Sequence, residues 1–91
     1  MQTEHLEARV SASLFLYPRV GVVVPKYRRN VVDRNKVRRR LRELARLQLL
    51  PVIGNLDLLL RARPEAYLAT FGQLGNEVDM IARWAKSAVQ P

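Results

Sequence analysis

The 91-residue chain has no cysteine and a single histidine, His5. Thiol chemistry, a disulfide scaffold and the cysteine-based zinc chelates are excluded, and one imidazole near an end does not make a metal site. Long apolar runs are missing as well. Those present, such as Leu14 to Tyr17 and Val22 to Pro25, fall far short of the roughly 20 residues that span a bilayer. The opening Met1-Gln2-Thr3-Glu4-His5 lacks the basic-then-apolar order of a secretory signal. These absences lead to the expectation of a cytoplasmic protein without a membrane partner. Acidic residues are few, 8 Asp and Glu against 16 Lys and Arg. They are scattered, and without a cysteine or a second histidine neither a Cys-His pair nor a Ser-His-Asp triad is signalled, so no catalytic residue is assigned to the protein itself. The hydrophobic share of 48% is that of an ordinary folded chain, and the length suits one domain covering residues 1–91.

The formal charge of +8 is concentrated. From Arg19 to Arg46 there are eleven basic and two acidic residues, a net +9, whereas the rest of the chain sums to −1. One region of the molecule is therefore built to meet a polyanion, with nucleic acid the first expectation.

Around that region the pattern is legible. Leu6, Ala8 and Val10 alternate with His5, Glu7 and Arg9 across residues 4–12, as in a half-buried strand. Arg19 to Val24 is β-branched, short and closed by Pro25, which predicts a second, more buried strand. From Val31 to about Leu49 neither Gly nor Pro occurs; Asn30 is placed to cap a helix there, with Asp33 near its positive end. Pro51 and Gly54 end it. Leu56 to Ala62, closed by Pro64, reads as a third, interior strand, so that strand, helix and strand form a β-α-β unit. Thr70-Phe71-Gly72-Gln73 has the form of a capping box and opens a terminal amphipathic helix to about Lys86, carrying Leu74, Val78, Ile81 and Ala85 on one side.

On the first helix, at about 100° per residue, Val37, Leu41, Leu44, Ala45 and Gln48 share a mostly apolar arc. Asn35, Arg38, Arg39, Arg42 and Arg46 cover the adjoining arc, with Arg34 on the border. Arg34, Arg38, Arg42 and Arg46 form an i,i+4 ladder of like charge, which costs roughly a few tenths of a kcal/mol per pair. A phosphate backbone relieves that repulsion. Asn35 is either a solvated amide or a donor and acceptor facing the bound strand. Phe15, Tyr17, Tyr27 and Tyr67 could stack on unpaired bases, but for each the expectation is core packing, and Trp84 is expected to anchor the last helix in the core or at its edge.

Arg19-Val20-Gly21-Val22-Val23-Val24-Pro25-Lys26, followed by Asn30-Val31-Val32-Asp33-Arg34-Asn35-Lys36-Val37-Arg38-Arg39-Arg40-Leu41-Arg42-Glu43, closely resembles the protein subunit of bacterial ribonuclease P. Asp57 to Pro64 and the closing helix add weaker support, so that the likeness covers most of residues 19–86. The resemblance implies an α+β fold, a small α/β sandwich whose β-α-β crossover is left-handed, with a C-terminal helix. It also implies a catalyst made of RNA, with the protein as the accessory subunit in endonucleolytic removal of the 5′ leader from precursor tRNA. Arg34, Lys36 and Arg39 would contact the ribonuclease P RNA; Asn35, Arg38 and Arg42 would lie towards the leader and nearby metal ions, the leader running between helix and sheet. Lys26 and Arg46 complete the candidate RNA-binding set. The protein alone would hold no cofactor, and magnesium would come with the RNA. Against the family pattern, Lys36 replaces an Arg, Arg29 a Gly and Pro25 a Ser. Nothing before Glu4 matches the family's opening aromatic helix, and two strands precede the basic helix where the family has three, so the chain reads as short at its N-terminus.

Two rival readings differ in partner. A DNA-binding module would insert the Val31 to Leu49 helix into a major groove, and an interfacial helix would lie on an anionic membrane. Neither accounts for the order of the motif.

Overall fold

The computed structural model describes residues 1–88. Its elements in chain order are β1 (Leu6–Ala12), β2 (Arg19–Val23), α1 (Val31–Leu44) with a π-helical continuation (Ala45–Leu49), β3 (Leu56–Ala62), a 3₁₀ segment (Pro64–Leu68) and α2 (Phe71–Ala88). The fold is α+β, a three-stranded sheet in the order β1-β3-β2 with two helices. The central strand β3 pairs antiparallel with β1, Leu6 opposite Ala62 and Ala12 opposite Leu56. It pairs parallel with β2, Arg19 opposite Asp57 and Val23 opposite Arg61. Against the expectation of a more buried strand, β2 has no fully buried residue, because it lies at the sheet edge. The parallel pairing makes β2-α1-β3 the expected β-α-β unit.

Local chemistry explains the helix boundaries. Asn30 has an extended backbone and its Oδ1 accepts the Asp33 N–H at 2.8 Å, satisfying one of the free donors of the first turn. At α2 the capping box closes reciprocally: Thr70 Oγ1 accepts from the Gln73 N–H at 3.0 Å, and Gln73 Oε1 accepts from the Thr70 N–H at 2.9 Å. The helix expected to run to Leu49 changes its hydrogen bonding at Ala45, and the Leu50 N–H reaches the Ala45 carbonyl at 2.9 Å. An unbroken α-helix would carry Leu49 round to the arc of Arg38 and Arg42 at about 100° per residue. The wider turn keeps Leu49 fully buried. Gly54, with φ of 68°, then supplies a left-handed turn into β3.

The helices cover one face of the sheet. Leu6, Ala8, Leu58, Leu60 and Ala62 point inward and meet Val37, Leu41 and Leu44 of α1 and Leu74, Val78, Ile81 and Ala85 of α2 in one cluster, with Trp84 at its edge. Each large side chain buried there contributes about 1.5–3 kcal/mol. The opposite face, bearing Arg9, Arg19, Gly21, Leu59 and Arg61, is open. No helix precedes β1 among the described residues; instead Gln2 bridges Glu7, and the Ala8 N–H reaches the Met1 carbonyl at 2.8 Å.

Candidate nucleic-acid interface

A tight turn delivers the chain from β2 to α1. The Arg29 N–H bonds the Lys26 carbonyl at 2.7 Å, and the two residues between, Tyr27 and Arg28, have φ of 42° and 61°. Two left-handed central residues make a type I′ turn, which costs non-glycine residues about 1–2 kcal/mol apiece. Side chains hold it in place. The Tyr27 hydroxyl donates to the Ala62 carbonyl at 3.2 Å, and the Tyr67 hydroxyl, from the 3₁₀ segment, donates to the Pro25 carbonyl at 3.0 Å. Arg29 ends the turn with its guanidinium 4.9 Å from the centre of the Tyr67 ring.

Beyond the cap, Val32, Asn35, Arg38, Arg39 and Arg42 line one shallow depression on the outer side of α1. Asn35 Oδ1 accepts from Arg38 Nη1 at 2.8 Å, which turns the amide towards its own helix and steadies that guanidinium. Arg38, Arg39 and Arg42 make no ion pair among the described residues, so their charge is available to a ligand. The rest of the candidate set is dispersed. Lys26 is exposed in the turn and Lys36 is exposed outside the depression. Arg34 is half-buried and its Nε has no hydrogen-bond partner. Arg46, carried into the π-helical stretch, pairs with Glu43 at 2.6 Å. Two further arginines of the basic stretch are engaged elsewhere: Arg40 donates to the Ala69 carbonyl at 3.4 Å, and Arg19 grips Asp57 through both carboxylate oxygens at 2.8 and 2.6 Å.

This geometry is set by residues that also carry a family signature: the sequence pattern described as Ribonuclease P matches residues 1–86. The chain belongs to the ribonuclease P protein family. The ribonuclease P protein component of Kocuria rhizophila is 44% identical over 59 residues, 65% of this chain and 52% of that protein. The component of Thermus thermophilus is 48% identical over 60 residues, 66% of this chain and 35% of that protein. The matched stretch thus spans about half or less of these relatives' length. Among solved structures, a Staphylococcus aureus RNase P protein, a mutant with defective mRNA degradation activity, superposes with a TM-score of 0.84 at 25% identity, covering 94% of this chain and 73% of that one. The Thermotoga maritima RNase P protein, in complex with 1-(4-fluorophenyl)-2-thiourea, shares the fold with a TM-score of 0.78 at 24% identity, over 91% and 82% of the two chains.

Within this ribonuclease P protein fold, α1 packs on one face of the sheet through the core, and an open groove lies on the other face, lined by Arg9, Ser11, Arg19, Gly21, Asp57 and Leu59. One expectation needs correction. Core packing was expected for Phe15 and Tyr17. Both are exposed in the β1–β2 loop, with ring centres 5.4 Å apart and Arg19 4.3 Å over Phe15, because no residue of that loop packs against the core cluster. Tyr27 and Tyr67 are half-buried, as a phenol with a carbonyl partner permits.

Two of the groups with shifted titration lie beside these arginines. The side-chain hydrogen bond from Arg19 holds the Asp57 carboxyl below its ordinary value. Burial pushes the Tyr67 phenol up, while the nearby charges of Arg34 and Arg29 pull the other way. Sequence reasoning counted Arg29 as charge and Tyr67 as core. Their stacking carried no local signal, since it joins residues far apart in the chain.

Proposed function

We propose that this chain binds ribonuclease P RNA through the outer face of α1 and assists RNA-catalysed removal of the 5′ leader from precursor tRNA. The observation that carries the reading is the set Arg38, Arg39 and Arg42, gathered on one depression with no carboxylate partner and presented by a member of the ribonuclease P protein family. Guanidinium groups neutralise phosphates and release condensed counterions, which lowers the repulsion between two RNAs brought together. In this reading the RNA performs the cleavage, and the protein contributes charge and position. In such an assembly magnesium would come with the RNA.

Val37, Leu41 and Leu44 of the apolar arc of α1 are buried in the core, so that arc is engaged by the protein itself. The test is reconstitution with a bacterial ribonuclease P RNA and precursor tRNA at low magnesium. Cleavage stimulated by the chain supports the reading, and its absence overturns it. Replacing Arg34 and Arg39 with Ala should flatten the dependence of RNA affinity on salt; an unchanged slope would remove the phosphate-neutralising role. Duplex DNA competing equally at matched salt would favour a DNA-binding module instead.

A further inference from the structure

Arg29 lies outside the motif helix, and its position is built with some care. Two strained left-handed residues precede it, and backbone strain of this kind persists only where surrounding structure enforces it. The enforcing contacts converge on one place. Tyr67 is tied to Pro25 by its hydroxyl, the turn is closed by the Arg29 N–H, and the Arg29 guanidinium lies over the Tyr67 ring. Arg34, one helical turn beyond the cap, brings a second guanidinium close enough for its charge to act on Tyr67, and its Nε is buried without a partner. Among the described residues Asp33 is the one acidic group near the ring, and neither arginine forms an ion pair with it.

A guanidinium stacked on an aromatic face keeps its in-plane N–H edge free, and the ring restricts the rotamers that a long side chain would otherwise lose on binding. We propose that Arg29, positioned by Tyr67 and flanked by Arg34, forms a second phosphate-binding position at the mouth of the β2–α1 turn, distinct from the Arg38, Arg39 and Arg42 face, and that its ligand is an RNA backbone phosphodiester. This inference rests on the RNA-binding reading above and extends the contact surface from one helix face to the turn that precedes it. Arg29 would touch the phosphate; Tyr67 acts through Arg29 as a positioning residue. The turn strain is then the means by which the chain brings a third guanidinium-bearing element, beside Arg34 and the helix face, to one edge of the molecule.

The test measures affinity of the full chain for a transcribed bacterial ribonuclease P RNA between about 50 and 200 mM salt, alone and with precursor tRNA added. Arg29→Gln should make the slope of log affinity against log salt shallower by about one, equivalent to about a tenfold loss at 0.1 M relative to a 1 M reference. Tyr67→Leu should reproduce much of that change, the double variant should add little to Arg29→Gln, and Tyr67→Phe, which keeps the ring but loses the bond to the Pro25 carbonyl, should fall between Tyr67→Leu and the parent chain. A change that appears only with precursor tRNA present assigns the phosphodiester to that RNA; a change with the catalytic RNA alone assigns it there. If Arg38→Gln flattens the slope but Arg29→Gln does not, this proposal is overturned and RNA binding stands. If neither variant does, the RNA-binding reading falls with it. A lowered melting temperature in Arg29→Gln with an intact slope identifies the stack as structural only, and also overturns the proposal.

Discussion

Glu77 on α2 receives the backbone N–H of His5 at 2.8 Å and pairs through its second oxygen with the His5 Nδ1, so one carboxylate fastens the start of β1 to the last helix. Both residues are buried, 6% and 8% exposed, in a core otherwise apolar. Burial pushes the Glu77 carboxyl up, but the nearby Thr3 hydroxyl and the hydrogen bonds from the side chain and backbone of His5 outweigh it, and the net direction is below the usual 4.5. A carboxyl with a depressed folded-state value contributes stability above its unfolded value and loses it as pH falls through the folded one. The melting temperature should therefore fall more steeply below pH 4.5 in the parent chain than in Glu77→Gln, measured by calorimetry across an acid series. Glu77→Ala, which strands the buried His5 N–H, should cost about 2 kcal/mol at neutral pH.

The two helix starts give a local test. Asn30→Ala and Thr70→Ala each remove a side-chain acceptor from a first-turn N–H, and each should cost about 1 kcal/mol in urea unfolding, whereas Asn30→Gly should cost only about a few tenths. An equal loss for Ala and Gly at position 30 would show that the cap is not the source of the effect.

Room beside Gly72 points the other way. A methyl group there would find Thr70 Oγ1 as its nearest neighbour, at 3.9 Å, and the backbone is helical. Gly72→Ala should stabilise the protein by roughly 0.5 kcal/mol by lowering the freedom of the unfolded chain. By contrast Leu41→Ala, at a fully buried site between α1 and the sheet, should cost about 2–5 kcal/mol.

Pairing predicts a hierarchy among the arginines. Arg38→Gln or Arg39→Gln should each lower the salt slope of RNA binding by about one, because neither charge has an acidic partner. Arg46→Gln should lower it less, since Glu43 already holds that guanidinium at 2.6 Å. Equal effects at all three positions would mean that the pair with Glu43 opens on binding.

The exposed grip of Arg19 on Asp57 should matter little to stability. Asp57→Asn should shift unfolding by no more than about 1 kcal/mol, the range of surface ion pairs.

Much of this molecule is dictated within a few residues of chain. The Asn30 cap, the Thr70 and Gln73 box, the inward alternation of Leu56, Leu58, Leu60 and Ala62, and the charge on α1 all arise from neighbours two to four positions apart, and each is readable in the amino-acid order. The family motif is likewise a contiguous run. Only the tertiary structure decided the order β1-β3-β2, the π-helical turn that returns Leu49 to the core, the exposure of Phe15 and Tyr17, and the engagement of Arg19 by Asp57. It alone set Arg29 on Tyr67 and left the Arg34 Nε without a partner. These depend on which distant segments share a surface. A guanidinium that is bare in the sequence is free, paired or stacked according to what the fold sets beside it, so the amount of charge was determined by composition and its availability by packing.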